Sequence, residues 1–126
     1  MGTTTSTPSP DRVGAGEVPI IRLEGTTTAV RWHGVPLRLG RDASMCAIAL
    51  PEDTDKVSRE HCEVHFNETD GVFVITDLGS ANGTMVRGST LLDAGVPTRV
   101  LPGSSLALGD TTAMVRLDLI AVTEPR

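Results

Sequence analysis

Residues 62–76, which read CEVHFNETDGVFVIT, indicate the fold more clearly than any other stretch of the chain. Apolar and polar side chains alternate with a period of two over Cys62 to Phe66, and in part over Val72 to Thr76. This period is typical of strands that bury one face and expose the other. Between the two runs lies Glu68-Thr69-Asp70-Gly71, a composition that favours a turn. The stretch therefore predicts two short strands joined by a turn.

The same pattern continues outward in both directions along the chain. Short apolar runs recur from Ile20 to Ile120, and Gly, Asp, Asn or Pro separates almost every pair of them. No segment sustains an apolar period of 3.6 residues over three helical turns. Many short strands at this spacing predict an all-β domain, either an antiparallel sandwich or a barrel.

Length and composition restrict the function classes. The 126 residues suffice for one domain, and 39% apolar with 21% charged residues is ordinary for a globular protein. A net charge of −5 and scarce aromatic residues argue against broad nucleic-acid binding. No apolar run approaches the ~18–20 residues of a membrane span. Cys46 and Cys62 are too few for a disulfide framework, and we expect free thiols in a cytoplasmic protein.

The composition changes at both ends of the chain. Residues 1–17 are rich in Thr, Ser, Pro and Gly, which predicts a disordered tail or linker. We expect the globular domain to span residues 18–122. Residues 123–126 contain a proline and should form a frayed C-terminus.

Three segments resist assignment to strands: residues 40–45, 51–61 and 79–83. Loops on a rigid sheet scaffold often carry function. If these loops meet, they form a small cationic pocket rich in hydroxyl and amide groups, which suits a phosphate dianion. The side chains concerned are Arg41, Lys56, Ser58, Arg59, His61, Ser80 and Asn82.

Four short motifs, in order along the chain, resemble the signature of forkhead-associated (FHA) domains. They are Gly40-Arg41, Ser58-Arg59-Glu60-His61, Asp77-Leu78-Gly79-Ser80-Ala81-Asn82-Gly83-Thr84 and Leu108-Gly109-Asp110. Each motif alone carries little information, but four in order at family-like spacing are a strong signal over residues 19–122. The resemblance implies a sandwich of two β-sheets, commonly with eleven strands, that recognises phosphothreonine peptides in Ser/Thr kinase signalling.

The resemblance also implies roles for individual residues. Arg41 and Ser58 would contact the phosphate directly, and Arg59 would add a second contact from the same loop. Asn82 would hydrogen-bond the peptide main chain. Three residues would support the loops: Gly40 and Gly83 through tight backbone geometry, and His61 as a brace.

Three positions bear on peptide specificity. Position 81 is Ala, where many relatives carry a hydroxyl, so one phosphate or peptide contact should be weaker. Arg87 stands in a turn where relatives often have Asn, and it could add charge beside the peptide. Lys56, the only lysine of the chain, could favour an acidic peptide residue after the phosphothreonine.

Other interpretations of the same residues remain open. The chain could be an interaction sandwich that does not require phosphate. Ser58 and His61 could act as nucleophile and base, but no orienting acid or nucleophile-elbow pattern accompanies them. Zinc binding by Cys46, His61, Cys62 and His65 is disfavoured, because His61 and His65 lie about 13 Å apart along a strand. We therefore expect no enzyme activity, metal or cofactor.

The expected partner is a protein or peptide that contains phosphothreonine. A Ser/Thr kinase or its substrate is the natural source of such a partner, and neither nucleic acid nor membrane is expected. The N-terminal tail offers a further hypothesis, because Thr3, Thr4, Thr5 and Thr7 form a plausible kinase target. Once phosphorylated, the tail could occupy the pocket of its own chain at high effective concentration.

Overall fold

The computed structural model describes residues 17–86 and 90–121. These residues form eleven β-strands and no helix. The strands, in chain order, are β1 Glu17–Leu23, β2 Ala29–Arg31, β3 Leu37–Gly40, β4 Ile48–Ala49, β5 Cys62–Asn67, β6 Val72–Asp77, β7 Thr84–Val86, β8 Thr90–Leu91, β9 Thr98–Val100, β10 Ser105–Leu108 and β11 Met114–Ala121.

The strands assemble into two sheets. One has six strands in the order β2-β1-β11-β10-β7-β8, and the other has five in the order β4-β3-β5-β6-β9. The all-β prediction is confirmed, as are the two strands expected over residues 62–76, where Cys62 pairs with Asp77 and Asn67 with Val72. The expectation of purely antiparallel pairing needs one correction, because β3 and β4 pair in parallel, with Leu39 opposite Ile48.

The core lies between the two sheets and follows from the period-two pattern. Alternate residues of β5 are buried, and fully enclosed side chains from both sheets, such as Ile21, Leu39 and Leu117, meet there. Phe66 and Phe73 pack edge to face with ring centroids 5.0 Å apart. Aliphatic side chains fill most of the remaining volume, as the scarcity of aromatic residues predicts.

The first strand begins at Glu17, one residue before the predicted start of the domain. The predictions for residues 1–16 and 122–126 lie outside the described residues. Within residues 17–86 and 90–121 there is no helix of the length and apolarity needed to cross a membrane.

Candidate functional site

Four connections meet at one end of the sandwich. They join β3 to β4, β4 to β5, β6 to β7 and β10 to β11. Backbone hydrogen bonds connect them in pairs: the Arg41 N–H donates to the Ser58 carbonyl at 3.1 Å, and the Gly109 N–H donates to the Gly83 carbonyl at 2.9 Å. The loops that carry the predicted phosphate-binding residues are therefore held together by the fold.

Arg41 is fixed at the base of this loop cluster. Its Nε–H donates to the Val57 carbonyl at 2.5 Å, and its Nη1 lies 4.0 Å from the exposed carboxylate of Glu52. The side chain is 27% exposed, so part of the guanidinium faces solvent. Because one edge of the guanidinium is anchored to main chain, the remaining N–H groups are pre-oriented to meet an anion.

Ser58 presents its hydroxyl between two loops. Ser58 Oγ accepts a hydrogen bond of 3.0 Å from the Ala81 N–H. A hydroxyl that accepts one bond still carries a hydrogen to donate. The structure thus places Ser58 where it can donate to an anion, and it assigns Ala81 a backbone contact that needs no side-chain hydroxyl.

Asn82 is tied to the loop that carries Ser58. Its Nδ2 donates to the Lys56 carbonyl at 3.1 Å, and the residue is otherwise exposed. The amide group also has an oxygen that can accept a hydrogen bond and a second hydrogen that can donate one. That is the pairing a peptide main chain requires.

Arg59 and Lys56 are both exposed and lie on the rim. The Arg59 carbonyl accepts the Asp42 N–H at 3.1 Å, so its backbone is fixed while its side chain extends outward. Lys56 lines a polar groove together with Asp53, Asp55 and Asp110. Three carboxylates beside one lysine make this groove more acidic than the sequence alone suggested. Arg87 lies outside the described residues.

His61 is fully buried behind the loops and uses both ring nitrogens. Nδ1 accepts the Ser58 N–H at 3.0 Å, and Nε2 lies 2.7 Å from the Gly83 carbonyl, to which it donates in the neutral tautomer. This ring bridges the loops of Ser58 and Asn82. Burial lowers the pKa of His61, although the Gly83 carbonyl and the charge of Asp77 oppose that shift.

The pH dependence of stability should depend on His61. Because the pKa of His61 is lower in the folded chain than in the unfolded chain, the unfolded chain binds the proton first as the pH decreases. The contribution of His61 to the free energy of unfolding is therefore fully present above about pH 6.5 and is lost as the pH falls toward the folded pKa. Protonation would also place a hydrogen on Nδ1, facing the Ser58 N–H. We expect the midpoint of chemical unfolding to decrease between pH 7.5 and pH 5.

Denaturation curves of His61→Gln and of the exposed His33→Gln across this range provide the check. His61→Gln should be less stable at pH 7.5 but should show a weaker loss on acidification than the wild type. His33→Gln should follow the wild-type profile. If His61→Gln retained the full acid sensitivity, another group would be responsible.

Two glycines permit backbone contacts that no other residue allows. A Cβ on Gly40 would lie 2.1 Å from the Arg59 carbonyl oxygen, so the strand before Arg41 can touch the loop after Ser58 only as glycine. Gly109 combines a φ of +83° with a position where a Cβ would lie 2.2 Å from the Lys56 carbonyl oxygen. Gly109 was part of a recognised motif, but its close approach to Lys56 was not foreseen.

Asp77 is the supporting residue that sequence reasoning missed. Its carboxylate is 2% exposed and accepts hydrogen bonds from the Gly79 N–H, the Ser80 N–H, the Ser80 hydroxyl and the Thr84 hydroxyl. Burial alone would raise the pKa of the Asp77 carboxyl. These hydrogen bonds, with those from the Ser80 and Thr84 side chains first, lower the pKa by a larger amount, so it lies below its usual range. An Asp at a strand end, before Gly and Ser, is the signal of a carboxylate that caps a turn.

Comparison with known proteins agrees with this geometry. The FHA domain model matches residues 37–109, and the chain belongs to the FHA domain family. The FHA domain of CT664 from Chlamydia trachomatis superposes with a TM-score of 0.69 at 23% identity, over 82% of this chain and 99% of that one. The FHA domain of an Arabidopsis thaliana hypothetical protein gives 0.66 at 23% identity, over 94% and 98%.

A third similar structure is the MEK1 FHA domain in complex with a HOP1 phosphothreonine peptide. Its TM-score is 0.63 at 18% identity, over 80% of this chain and 95% of that one. No curated protein matches the chain by sequence. At these identities the structures establish the fold that the four motifs implied, a two-sheet FHA sandwich.

Proposed function

We propose that this domain binds phosphothreonine-containing peptides and thereby mediates phosphorylation-dependent protein–protein interactions in Ser/Thr kinase signalling. The observation that carries the proposal is the convergence of Arg41, Ser58 and Asn82 on one loop cluster, where each side chain is anchored on one side and open on the other. The phosphothreonine peptide bound to the MEK1 FHA domain supports the same chemistry.

The phosphate would be held by two hydrogen-bonding side chains and one further positive charge. A phosphothreonine carries a charge of about −2 and three strong acceptor oxygens. Arg41 would offer its solvent-facing N–H groups, Ser58 its hydroxyl hydrogen, and Arg59 a longer-range charge from the rim. At ~1.5–3 kcal/mol for each charge-assisted bond, less the cost of ordering a peptide, an affinity near micromolar follows.

The peptide main chain would be held by Asn82. Its amide is fixed on Lys56, so the Oδ1 atom and the remaining N–H can pair with one residue of an extended peptide. Preference for threonine over serine needs an apolar contact for the γ-methyl group, which contributes only ~0.8 kcal/mol by burial. Stronger discrimination requires the methyl to order the phosphate-bearing rotamer as well.

The hydrogen bonds around Ser58 support binding rather than catalysis. The ring of His61 accepts the backbone N–H of Ser58, while the Ser58 hydroxyl accepts the Ala81 N–H. In a serine nucleophile, the imidazole would instead accept the hydroxyl hydrogen. Both His61 nitrogens already have backbone partners, so the ring is also a poor metal ligand.

Calorimetric titration with a phosphothreonine peptide, its unmodified twin and its phosphoserine analogue tests the function. We expect micromolar binding of the first, at least tenfold weaker binding of the third, and no measurable binding of the second. Equal binding of the modified and unmodified peptides would favour the phosphate-independent alternative and exclude phosphate recognition.

The specificity proposed for Lys56 has its own test. The ammonium group favours an acidic residue after the phosphothreonine, but Asp53, Asp55 and Asp110 share the groove and oppose it. We therefore expect only a small preference, about twofold, for Glu over Gln at one position, because exposed charge pairs contribute ~0–1 kcal/mol. Fluorescence anisotropy with both peptides should show that Lys56→Ala removes this preference. A preference that survives in Lys56→Ala would assign it to another residue.

The cellular setting follows from the same chemistry. We propose a cytoplasmic protein whose partner is a Ser/Thr kinase or its phosphorylated substrate, without nucleic acid or membrane as a ligand. The binding domain would include the described strands from Glu17 to Ala121, with the predicted tail before them. Phosphorylation of Thr3, Thr4, Thr5 or Thr7 in the tail would create an internal ligand that competes with the peptide. In that case the phosphorylated chain should bind the peptide more weakly than the unphosphorylated chain.

A further inference from the structure

The chain carries two side-chain amides, those of Asn67 and Asn82, and no glutamine. Asn82 is followed by glycine, whereas Asn67 precedes Glu68. Asparagine is a chemically labile residue, and a following glycine makes it more so, because the glycine has no side chain to hinder attack by its backbone nitrogen. A fragile bond therefore lies in the loop that also carries the candidate peptide-binding amide.

The reaction open to such a pair is deamidation. The deprotonated backbone nitrogen of Gly83 attacks Cγ of Asn82, an N–C bond forms, the Cγ–Nδ2 bond breaks, and the amide group leaves as ammonia. Water then opens the cyclic imide at either carbonyl, which yields aspartate or isoaspartate. The first requirement is loss of the proton from the Gly83 N–H. As in amide hydrogen exchange, a hydrogen-bonded N–H loses its proton only when the structure opens locally.

Both backbone polar groups of Gly83 are hydrogen-bonded in the folded domain. Its N–H donates to Ser80 Oγ at 3.0 Å. Its carbonyl accepts the Gly109 N–H at 2.9 Å and lies 2.7 Å from Nε2 of the buried His61. The nitrogen that must attack is therefore held in place, and its proton is held on a neighbouring hydroxyl.

The acceptor of the Gly83 proton is itself anchored. The Ser80 hydroxyl donates to Asp77 Oδ1 at 2.5 Å, and Asp77 is 2% exposed. The amide that would leave is held as well, because Asn82 Nδ2 donates to the Lys56 carbonyl at 3.1 Å. Asn82 is exposed, so water and hydroxide reach this bond as soon as the loop opens.

We propose that Asn82–Gly83 is a latent deamidation site, which the Ser80 hydroxyl protects in the folded domain and whose reaction would weaken peptide binding. The protection stands independently, whereas the effect on binding rests on the proposed function. A carboxylate at position 82 has no hydrogen to donate, so the bond to the Lys56 carbonyl would be lost. Its negative charge would also oppose the charge of about −2 on a phosphothreonine.

Peptide mass spectrometry of the domain, incubated at mildly alkaline pH, tests the protection. Ser80→Ala should deamidate at Asn82 about tenfold faster than the wild type, because loss of one hydrogen bond makes opening at Gly83 easier. The mass gain identifies deamidation, since isomerisation of an aspartate leaves the mass unchanged. The peptide that contains Asn67 is the internal reference and should react at the same rate in every sample.

Two further variants separate the hydroxyl from the fold. Ser80→Thr keeps the hydroxyl and should retain the wild-type rate. Ser104→Ala removes a hydroxyl from the connection between β9 and β10, at the other end of β10, and should also match the wild type. A folded Ser80→Ala protein that reacts no faster than the wild type would overturn the inference.

The wild type provides a test that needs no variant to fold. In urea concentrations below the unfolding transition, hydrogen exchange at the Gly83 amide and deamidation at Asn82 should accelerate in parallel, because both need the same opening. Deamidation that is as fast in the folded protein as in the urea-unfolded chain would refute the protection.

Titration with a phosphothreonine peptide measures the consequence. The deamidated wild type, separated by ion exchange, and Asn82→Asp should each bind about tenfold more weakly than the intact domain. Unchanged affinity of both would overturn the effect on binding. Since the mass readout requires no peptide, an intact domain that fails to bind would refute the proposed function, and with it this effect, while the protection by Ser80 is decided by mass alone.

Discussion

Arg41→Ala should reduce phosphopeptide affinity by about 100-fold or more, to the level of the unphosphorylated peptide. Two charge-assisted hydrogen bonds at ~1.5–3 kcal/mol each account for a loss of this size. We expect Arg41 to contribute more than Arg59, because its guanidinium is anchored on the Val57 carbonyl and 27% exposed, whereas Arg59 extends from the rim. Because the Arg41 side chain is already ordered in the free protein, binding the peptide costs less side-chain entropy at Arg41.

Arg41→Lys separates charge from geometry. Lysine keeps the positive charge but loses the planar fork that can bond the Val57 carbonyl and an anion together. We expect an intermediate loss of about tenfold. Titration calorimetry at fixed salt concentration measures both losses, since ionic strength screens the charge contribution.

Arg99→Ala is the matched control for these variants. Arg99 lies on β9 and pairs with Asp70 at 2.9 Å, in the turn between β5 and β6. The substitution removes the same charge from the chain but should leave peptide affinity within about twofold, because Asp70 lies at the opposite end of β5 from the Ser58 loop. Wild-type affinity in a folded Arg41→Ala protein would refute the assignment of the phosphate site.

The strands were predictable because their pattern is local. Alternation over Cys62 to Phe66 and the turn residues after it specify two paired strands whatever surrounds them. The parallel pairing of β3 with β4 was not predictable in this way. The strand β4 has only two residues, and both pair through the main chain, so the sequence has no side-chain period that indicates the strand direction.

The candidate site residues could be named from the sequence only to the extent that they stand in motifs. The residues Arg41, Ser58 and Asn82 were recognised from the order of the motifs, whereas their anchors are main-chain carbonyls and N–H groups that leave no trace in residue type. The neighbouring apolar side chains of β7 and β8 were missed for a related reason. Met85 and Leu91 belong to different strands, and only the register places them side by side.

Asp77→Ala should have the largest effect on stability, about 3–5 kcal/mol. Asp77 is 2% exposed, and the Thr84 hydroxyl that donates to it is fully buried. Removing the carboxylate leaves the buried Thr84 hydroxyl without its acceptor, at a cost of ~1–3 kcal/mol, and the more exposed donors of Gly79 and Ser80 add smaller losses. The melting temperature should decrease by about 10–20 °C.

The same substitution should weaken peptide binding, because the carboxylate shapes the turn that presents Ala81 and Asn82. Ser80 bridges the two ends of this turn: its hydroxyl donates to Asp77 at 2.5 Å and accepts the Gly83 N–H at 3.0 Å. Differential scanning calorimetry and peptide titration, with Asp70→Asn as a surface control, give both quantities. Asp70→Asn should cost less than ~1 kcal/mol, since it disturbs an exposed ion pair.

A double-mutant cycle with Thr84→Val separates the buried pair from the turn. If the Thr84 hydroxyl matters only through Asp77, Thr84→Val should destabilise the wild type by more than it destabilises Asp77→Ala, because in the latter the hydroxyl has already lost its acceptor. The difference should be about 1–2 kcal/mol. Additive effects would show that Asp77 acts through Gly79 and Ser80 alone, and that the contact between β6 and β7 contributes little to holding the Asn82 loop in place.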